Sequence, residues 1–271
     1  MMNRKLAGVA LALAMALIMG QSLKAQYNPR ARLQPVGLGV SPKFEGWYKN
    51  PNGTYTLSFG YINRNTQEVL TIPPGTSNWV DGGSVDQGQP TYFTPRRSYG
   101  VFTVTVPADF GREDRVRWTL EANGEQYSIP GGLIDSYETD NLYARAIDRY
   151  PPVLVLEEGG KESRGPNGTR VGPVAAKVAN PLTLNVRAWD EQGRGVTLRW
   201  YKYRGPGDVT FEKGVLPIEE GNTEAATTAF FSEPGEYVLY VRADHSDMRV
   251  SAAGLEQCCW TNGYISISVS R

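Results

Sequence analysis

The chain contains one histidine, His245, and that limits the nucleophilic chemistry it can support. A Ser-His-Asp or Cys-His arrangement would have to use it as the base. It lies in Asp244-His245-Ser246-Asp247, a segment that reads more simply as a loop. Paired-carboxylate hydrolysis needs only two acids at a suitable separation, and no cluster of acids beside aromatics singles out such a pair. Asp190, Glu191, Asp244 and Asp247 could instead offer oxygen ligands to Ca2+. The plainer reading, which we favour, is that Asp190 caps a turn with Gly193 while Asp244 and Asp247 stay solvated. One histidine and two neighbouring cysteines make a poor zinc site.

Those cysteines, Cys258 and Cys259, are adjacent. Consecutive Cα atoms lie ~3.8 Å apart, below the usual ~4.4–6.8 Å of a disulfide, so a vicinal bridge needs a distorted peptide. Outside the cytoplasm free thiols tend to oxidise. The alternatives are a vicinal disulfide, buried reduced thiols, or an intermolecular bridge. A vicinal bridge would stiffen the loop beside Trp260 into an apolar knob for a ligand or partner. Trp47, Tyr48, Trp79, Tyr92, Trp189 and Trp260 could stack on sugar rings. Tryptophans on alternating strands are mostly core, so Trp47, Trp118 and Trp200 are expected inside, and Trp79 and Trp260 outside.

The start of the chain indicates where these residues work. Arg4 and Lys5 precede an unbroken apolar run from Leu6 to Gly20. At about 15 residues it is shorter than the ~20 that span a bilayer, and it matches the core of a cleavable signal peptide, residues 1–25, with cleavage after Ala25. Cleavage removes Arg4, Lys5 and Lys24 but no acid from a chain with 28 basic and 28 acidic residues, leaving a mildly acidic product. Without a basic surplus, nucleic acid is not an expected partner. No later stretch is apolar enough to span a membrane, so a periplasmic or extracellular protein is expected.

Strands must position the candidate residues, because Gly, Pro, Tyr, Trp, Thr and Val are plentiful and long amphipathic helical stretches are absent. Aromatic, alternating runs at 44–48 and 54–61 flank Asn50-Pro51-Asn52-Gly53, a hairpin signature. Val101 to Val106 alternates, as does Arg115 to Glu121, and Asn123-Gly124 turns the latter into a second hairpin. A first antiparallel sandwich domain is expected over 26–133. A linker at 134–152 follows, with Leu142, Ala146 and Ile147 at the spacing of a short helix. Pro73-Pro74-Gly75 and Gly82-Gly83 mark 72–92 as loop, and 157–172 reads as an exposed loop.

The remainder, 153–271, alternates through Leu182–Arg187 and Val196–Tyr201, passes Gly205-Pro206-Gly207-Asp208-Val209-Thr210-Phe211, and enters a strand through Pro234-Gly235-Glu236-Tyr237. This succession resembles the PKD-type branch of immunoglobulin-like domains. The resemblance implies an antiparallel sandwich with Trp200 at its centre and Tyr237 as a tyrosine corner. In that topology Asp190 and Glu191 would share one end with Asp244 and Asp247. Domains of this branch mostly serve as spacers, adhesive modules or mounts in exported proteins. The whole chain is similar to exported proteins of Gram-negative bacteria that pair a first sandwich with such a tail. The chain departs from the pattern at 244–262, a long segment before a final strand expected at Gly263–Val269.

The expectation is an all-β protein of two antiparallel sandwiches, the second immunoglobulin-like. It would act as an exported, non-catalytic binding or scaffolding module touching an envelope protein or surface polymer through the 244–262 loop. Its alternative is a carbohydrate-binding accessory module or a polysaccharide-active enzyme. Cys258, Cys259, Trp260 and Trp79 are the expected contact residues.

Overall fold

The computed structural model describes residues 33–139, 150–178, 180–218, 221–246 and 260–271. Their elements are seventeen strands and one 3-10 turn at Asp135–Tyr137. The protein is therefore all-β, built as two packed sandwiches. No helix among the described residues is long and apolar enough to cross a membrane.

The first sandwich uses β1 (Val40–Lys49), β2 (Tyr55–Asn63), β3 (Leu70–Thr71), β4 (Asn78–Val80), β5 (Tyr92–Phe93), β6 (Arg96–Val106), β7 (Val116–Ala122) and β8 (Glu125–Gly131). One sheet runs β1-β2-β6, another β4-β7-β8, and β3 pairs with β5. The β7–β8 turn has positive φ at both Asn123 (51°) and Gly124 (71°), the geometry that matches the twist of a tight hairpin. Phe59, Phe93 and Phe102 surround Trp118 with ring centroids 5.5–6.3 Å away. Long side chains on the inner faces thus fill the space between the sheets.

The connection between β2 and β6 is long, and buried amides hold it where ladder bonds do not reach. Asn78 donates to the Ile72 and Pro90 carbonyls and accepts from the Trp118 indole at 3.0 Å. Gln89 donates to Asn78 O and Val85 O. Each buried peptide group satisfied this way avoids a desolvation cost of ~1–3 kcal/mol. The stretch expected to be loop is accordingly a fixed part of the body, with Trp79 inside β4.

The second sandwich uses β9 (Val153–Val155), β10 (Thr169–Lys177), β11 (Leu182–Trp189), β12 (Val196–Arg204), β13 (Val209–Phe211), β14 (Val215–Ile218), β15 (Glu224–Phe231), β16 (Gly235–His245) and β17 (Trp260–Ser270). Its sheets run β10-β17-β16-β12-β14 and β13-β15-β11-β9. β10 lies parallel to β17 while the other strand pairs are antiparallel, so the leading edge switches sheets between β9 and β10. That is an immunoglobulin-like arrangement. Trp200 is buried in the core with Leu198, Leu239, Val241 and Ile267. Tyr237 Oη donates to Glu233 O at 2.8 Å and accepts from Gly207 N at 3.0 Å, forming the tyrosine corner that the sequence implied.

Two expectations change. The final strand begins at Trp260, ahead of the expected Gly263, because Asp244 to Trp260 and Arg242 to Asn262 pair in the β16–β17 ladder. The loop expected at 157–172 is partly interior, since Gly165 and Pro166 are buried. The short helix expected around Leu142, Ala146 and Ile147 lies outside the described residues.

Candidate functional site

The sequence-derived candidates take different places in this frame. Trp260 is 1% exposed, so the expected apolar knob is in fact an internal wedge. Its indole lies against Gly100 of the first sandwich, with the Arg242 guanidinium 4.7 Å over the ring. Trp79 is half-buried opposite Thr119. Trp47, Trp118 and Trp200 are buried. Cys258, Cys259 and Asp247 lie outside the described residues.

The three described acids do not share a centre. Asp190 Oδ2 accepts from Arg194 N at 3.0 Å, while its carbonyl accepts from Gly193 N at 3.1 Å, so it caps the turn after β11. Glu191 pairs with Arg164. Asp244 sits 2.7 Å from Arg242 Nε and 3.7 Å from Arg199 Nε. No group of three His, Cys, Asp or Glu suited to a metal occurs among the described residues. His245 is the buried last residue of β16, its Nε2 2.8 Å from Tyr150 O.

What the structure does assemble is an interface between the sandwiches, and it starts from an irregularity in β6. On β2, one residue, Gly60, separates Phe59 from Tyr61; on β6, Tyr99, Gly100 and Val101 lie between their partners Phe102 and Ser98. Such a bulge leaves backbone groups without ladder partners. The second sandwich supplies them. Arg242 Nη1 donates to Tyr99 O (3.1 Å), Asn262 Nδ2 to Gly100 O (2.8 Å), and Tyr264 Oη to Val101 O (2.9 Å). Gly100 has φ 51°, and a Cβ there would overlap the Trp260 indole, so glycine is required twice over.

Beneath the bulge lies Glu45, 3% exposed. Gly60 makes room for it, because a Cβ at that position would overlap the carboxylate. Arg97 Nη2 donates to both Glu45 oxygens at 2.6 and 2.7 Å. Burial outweighs this pairing and pushes the Glu45 carboxyl up to about 6. A second clasp lies further along: Arg204 makes a bidentate pair with Asp86 (2.7 and 2.8 Å), and Tyr203 Oη donates to Gly88 O at 2.6 Å. The Arg204 hydrogen bonds hold Asp86 below the usual carboxylate range. A third joins Asn167 to Thr103 (2.8 Å) and Thr56 (3.1 Å).

Between these clasps the sandwiches part to leave a cleft of about 410 Å3. One wall carries Tyr92, Arg97 and Tyr99; the other carries Arg199, Tyr201 and Arg242. Arg97 lies 4.3 Å over the Tyr99 ring, and Lys202 Nζ lies 4.5 Å over Tyr92 while donating to Gly207 O at 2.6 Å. Burial lowers the Lys202 pKa. Tyr201 stacks on Tyr240 at 5.6 Å, and burial raises the Tyr240 hydroxyl well above its ordinary value. Four cations line the cleft, against Asp244 as its one lining carboxylate. The expected candidates did not include Arg97, Tyr99, Arg199, Tyr201 or Arg242. A signal existed: Arg199, Tyr201 and Tyr203 alternate with the core residues Leu198 and Trp200. A central strand with aromatics on both faces has both faces covered.

No protein-family model and no curated protein matches the chain. Among solved structures the chain is similar to the D00-D0 domain of intimin, at 9% identity and TM-score 0.29, over 86% of this chain and 100% of that one. It is also similar to the adhesin InvE of Yersinia pseudotuberculosis, at 10% identity and TM-score 0.26, over 89% and 61%. Domains 4 and 5 of the S-layer protein SbsC give 12% identity and TM-score 0.25, over 86% and 98%.

Proposed function

We propose that the protein is an exported, non-catalytic binding module in which a PKD-type second sandwich holds the first in one orientation. The cleft between them is presented to a surface polymer or an envelope protein. One observation supports this reading above the rest: the cleft walls are tied by hydrogen bonds that the second sandwich donates to the first. Its shape is therefore set by the fold, as in preformed ligand sites of ~300–1,000 Å3. Asp244, the carboxylate that lines it, is bonded to Arg242, and Glu45 is buried beneath the wall outside the lining, which suits positioning better than proton transfer. A concave, tyrosine-lined cleft suits a polymer segment better than the flat face of a folded partner. Of the two occupants, the saccharide therefore has the stronger support, and an accessory role beside a polysaccharide-active enzyme fits it.

The test exposes the mature chain to an envelope extract of its source cell, and to native gels cast with polysaccharides. The expected result is specific retention or retardation without release of reducing sugar. Absence of any retained species in both formats overturns the binding reading. Release of saccharide product overturns the non-catalytic one.

A further inference from the structure

Among the described residues, Arg199 differs from the other cations of the cleft in making no side-chain hydrogen bond. Arg97 is committed to Glu45 and Tyr61 O, Arg242 to Asp244 and Tyr99 O, and Lys202 to Gly207 O. Among the described residues the one charged partner of Arg199 is Asp244 at 3.7 Å, and that carboxylate already accepts from Arg242 at 2.7 Å. Its side chain is 43% exposed, and its terminal nitrogens make no hydrogen bond among the described residues. A guanidinium with its fork free, on a rigid central strand, is suited to bidentate capture of a carboxylate.

Tyr201 stands two residues along the same strand, so it shares the face of Arg199 at a spacing of roughly 6–7 Å. One ring face stacks on Tyr240, which fixes the ring's orientation, and the residue remains 36% exposed. Across the cleft stand Ser98 and Tyr99, both half-buried. The combination is a flat aromatic platform, an adjacent planar cation and a polar opposite wall.

We infer that this cleft binds an acidic saccharide, a hexuronate unit whose carboxylate is held by Arg199 and whose ring lies on Tyr201. The inference rests on the binding-module reading and names its ligand. A phosphate dianion would call for several uncommitted cations, whereas this wall offers one. A neutral sugar could accept from Arg199 through its hydroxyls but would bring no counter-charge to the guanidinium. The size of the cleft accommodates one or two sugar rings rather than a folded surface.

The experiment is calorimetric titration of the mature chain with oligosaccharides prepared from polygalacturonate, alginate and hyaluronan. Each is paired with its carboxyl-reduced, neutral counterpart. The expected result is saturable binding of at least one acidic member, and no measurable binding of its reduced form. Arg199→Ala should weaken binding about ten- to a hundredfold, as loss of a charge-assisted pair does, and Tyr201→Ala about tenfold. Arg199→Lys should recover only part of the loss. Arg199 is partly exposed and makes no side-chain hydrogen bond among the described residues, so thermal unfolding of its variants should match that of the parent. Tyr201→Ala loses the stacking on Tyr240 and should unfold at a slightly lower temperature. Equal binding of acidic and reduced forms overturns the inference, as does silence from all three acidic probes. If the probes are silent while an envelope protein is captured in an Arg199-dependent way, the cleft serves a protein and the saccharide inference fails alone. If envelope capture and gel retardation fail too, the module reading falls with it.

Discussion

Glu45 and Arg97 show how one buried carboxylate couples the interior of the first sandwich to the surface that receives the second. The carboxylate accepts from Arg97 and from Gly100 N–H, and lies within the field of Arg242. Its pKa is raised from 4.5 to about 6, so between those pH values the folded chain holds a proton there that the unfolded chain has released. The associated stability is fully present below pH 4.5 and is lost as pH rises through 6, at about 2 kcal/mol for the whole excursion. Chemical denaturation at pH 4.5 and 7 should show that fall in the parent, and Glu45→Gln should lack it. A parent whose stability rises across this window by as much would contradict the burial argument. Gly100 gives a second residue-scale prediction. Gly100→Ala adds a Cβ at φ 51° and drives it into the Trp260 indole. Strain and overpacking together should cost about 2–4 kcal/mol, read from the urea midpoint. A shift in the tryptophan emission of the native state should accompany it.

At the scale of elements, regular segments were legible in the sequence and irregular ones were not. The β7–β8 hairpin announced itself through Asn123-Gly124, because few residues tolerate two successive positive φ values. The turn at Pro234-Gly235 was legible as turn chemistry at the entrance to a strand, and the resemblance to PKD-type domains implied the tyrosine corner at Tyr237. Tyr237→Phe should leave Gly207 N–H without its acceptor and lower stability by about 1–3 kcal/mol, with an unchanged denaturant m-value. An unaltered midpoint would show that the corner is ornamental. The β6 bulge was not legible, because three residues facing one on a distant strand leave no local mark. For the same reason Trp260 was expected to be exposed. Its neighbourhood reads as loop, and only pairing with Asp244 and contact with Gly100, far away in sequence, turns it inward. The candidate site suffered most. Arg199 and Arg242 read as the wet face of a sheet, and the alternation of Tyr201 and Tyr203 with the core residues was the one sign that another sandwich covers it. The acids were grouped by loop topology, whereas the three that are described, Asp190, Glu191 and Asp244, each meet a local partner, Arg194, Arg164 and Arg242.

For the whole molecule, the two sandwiches are joined differently from beads on a linker. Tyr203, Tyr240 and Tyr264 of the second sandwich belong to the hydrophobic cluster of the first, so one core runs through the junction. Polar clasps surround it at Tyr99–Val101, at Asp86–Gly88 and at Asn167. Domains joined through small polar contacts move relative to each other, and a packed, satisfied junction opposes that motion. A rigid junction gives the cleft a fixed width and places Arg199 opposite Tyr99 before any ligand arrives, which reduces the ordering cost of binding. Residual dipolar couplings of the protein in a dilute aligned medium test this claim most directly. Couplings from the core strands of both sandwiches should fit a single alignment tensor. Two tensors of clearly different magnitude or orientation would mean that the sandwiches move independently, and that the cleft is not a preformed site.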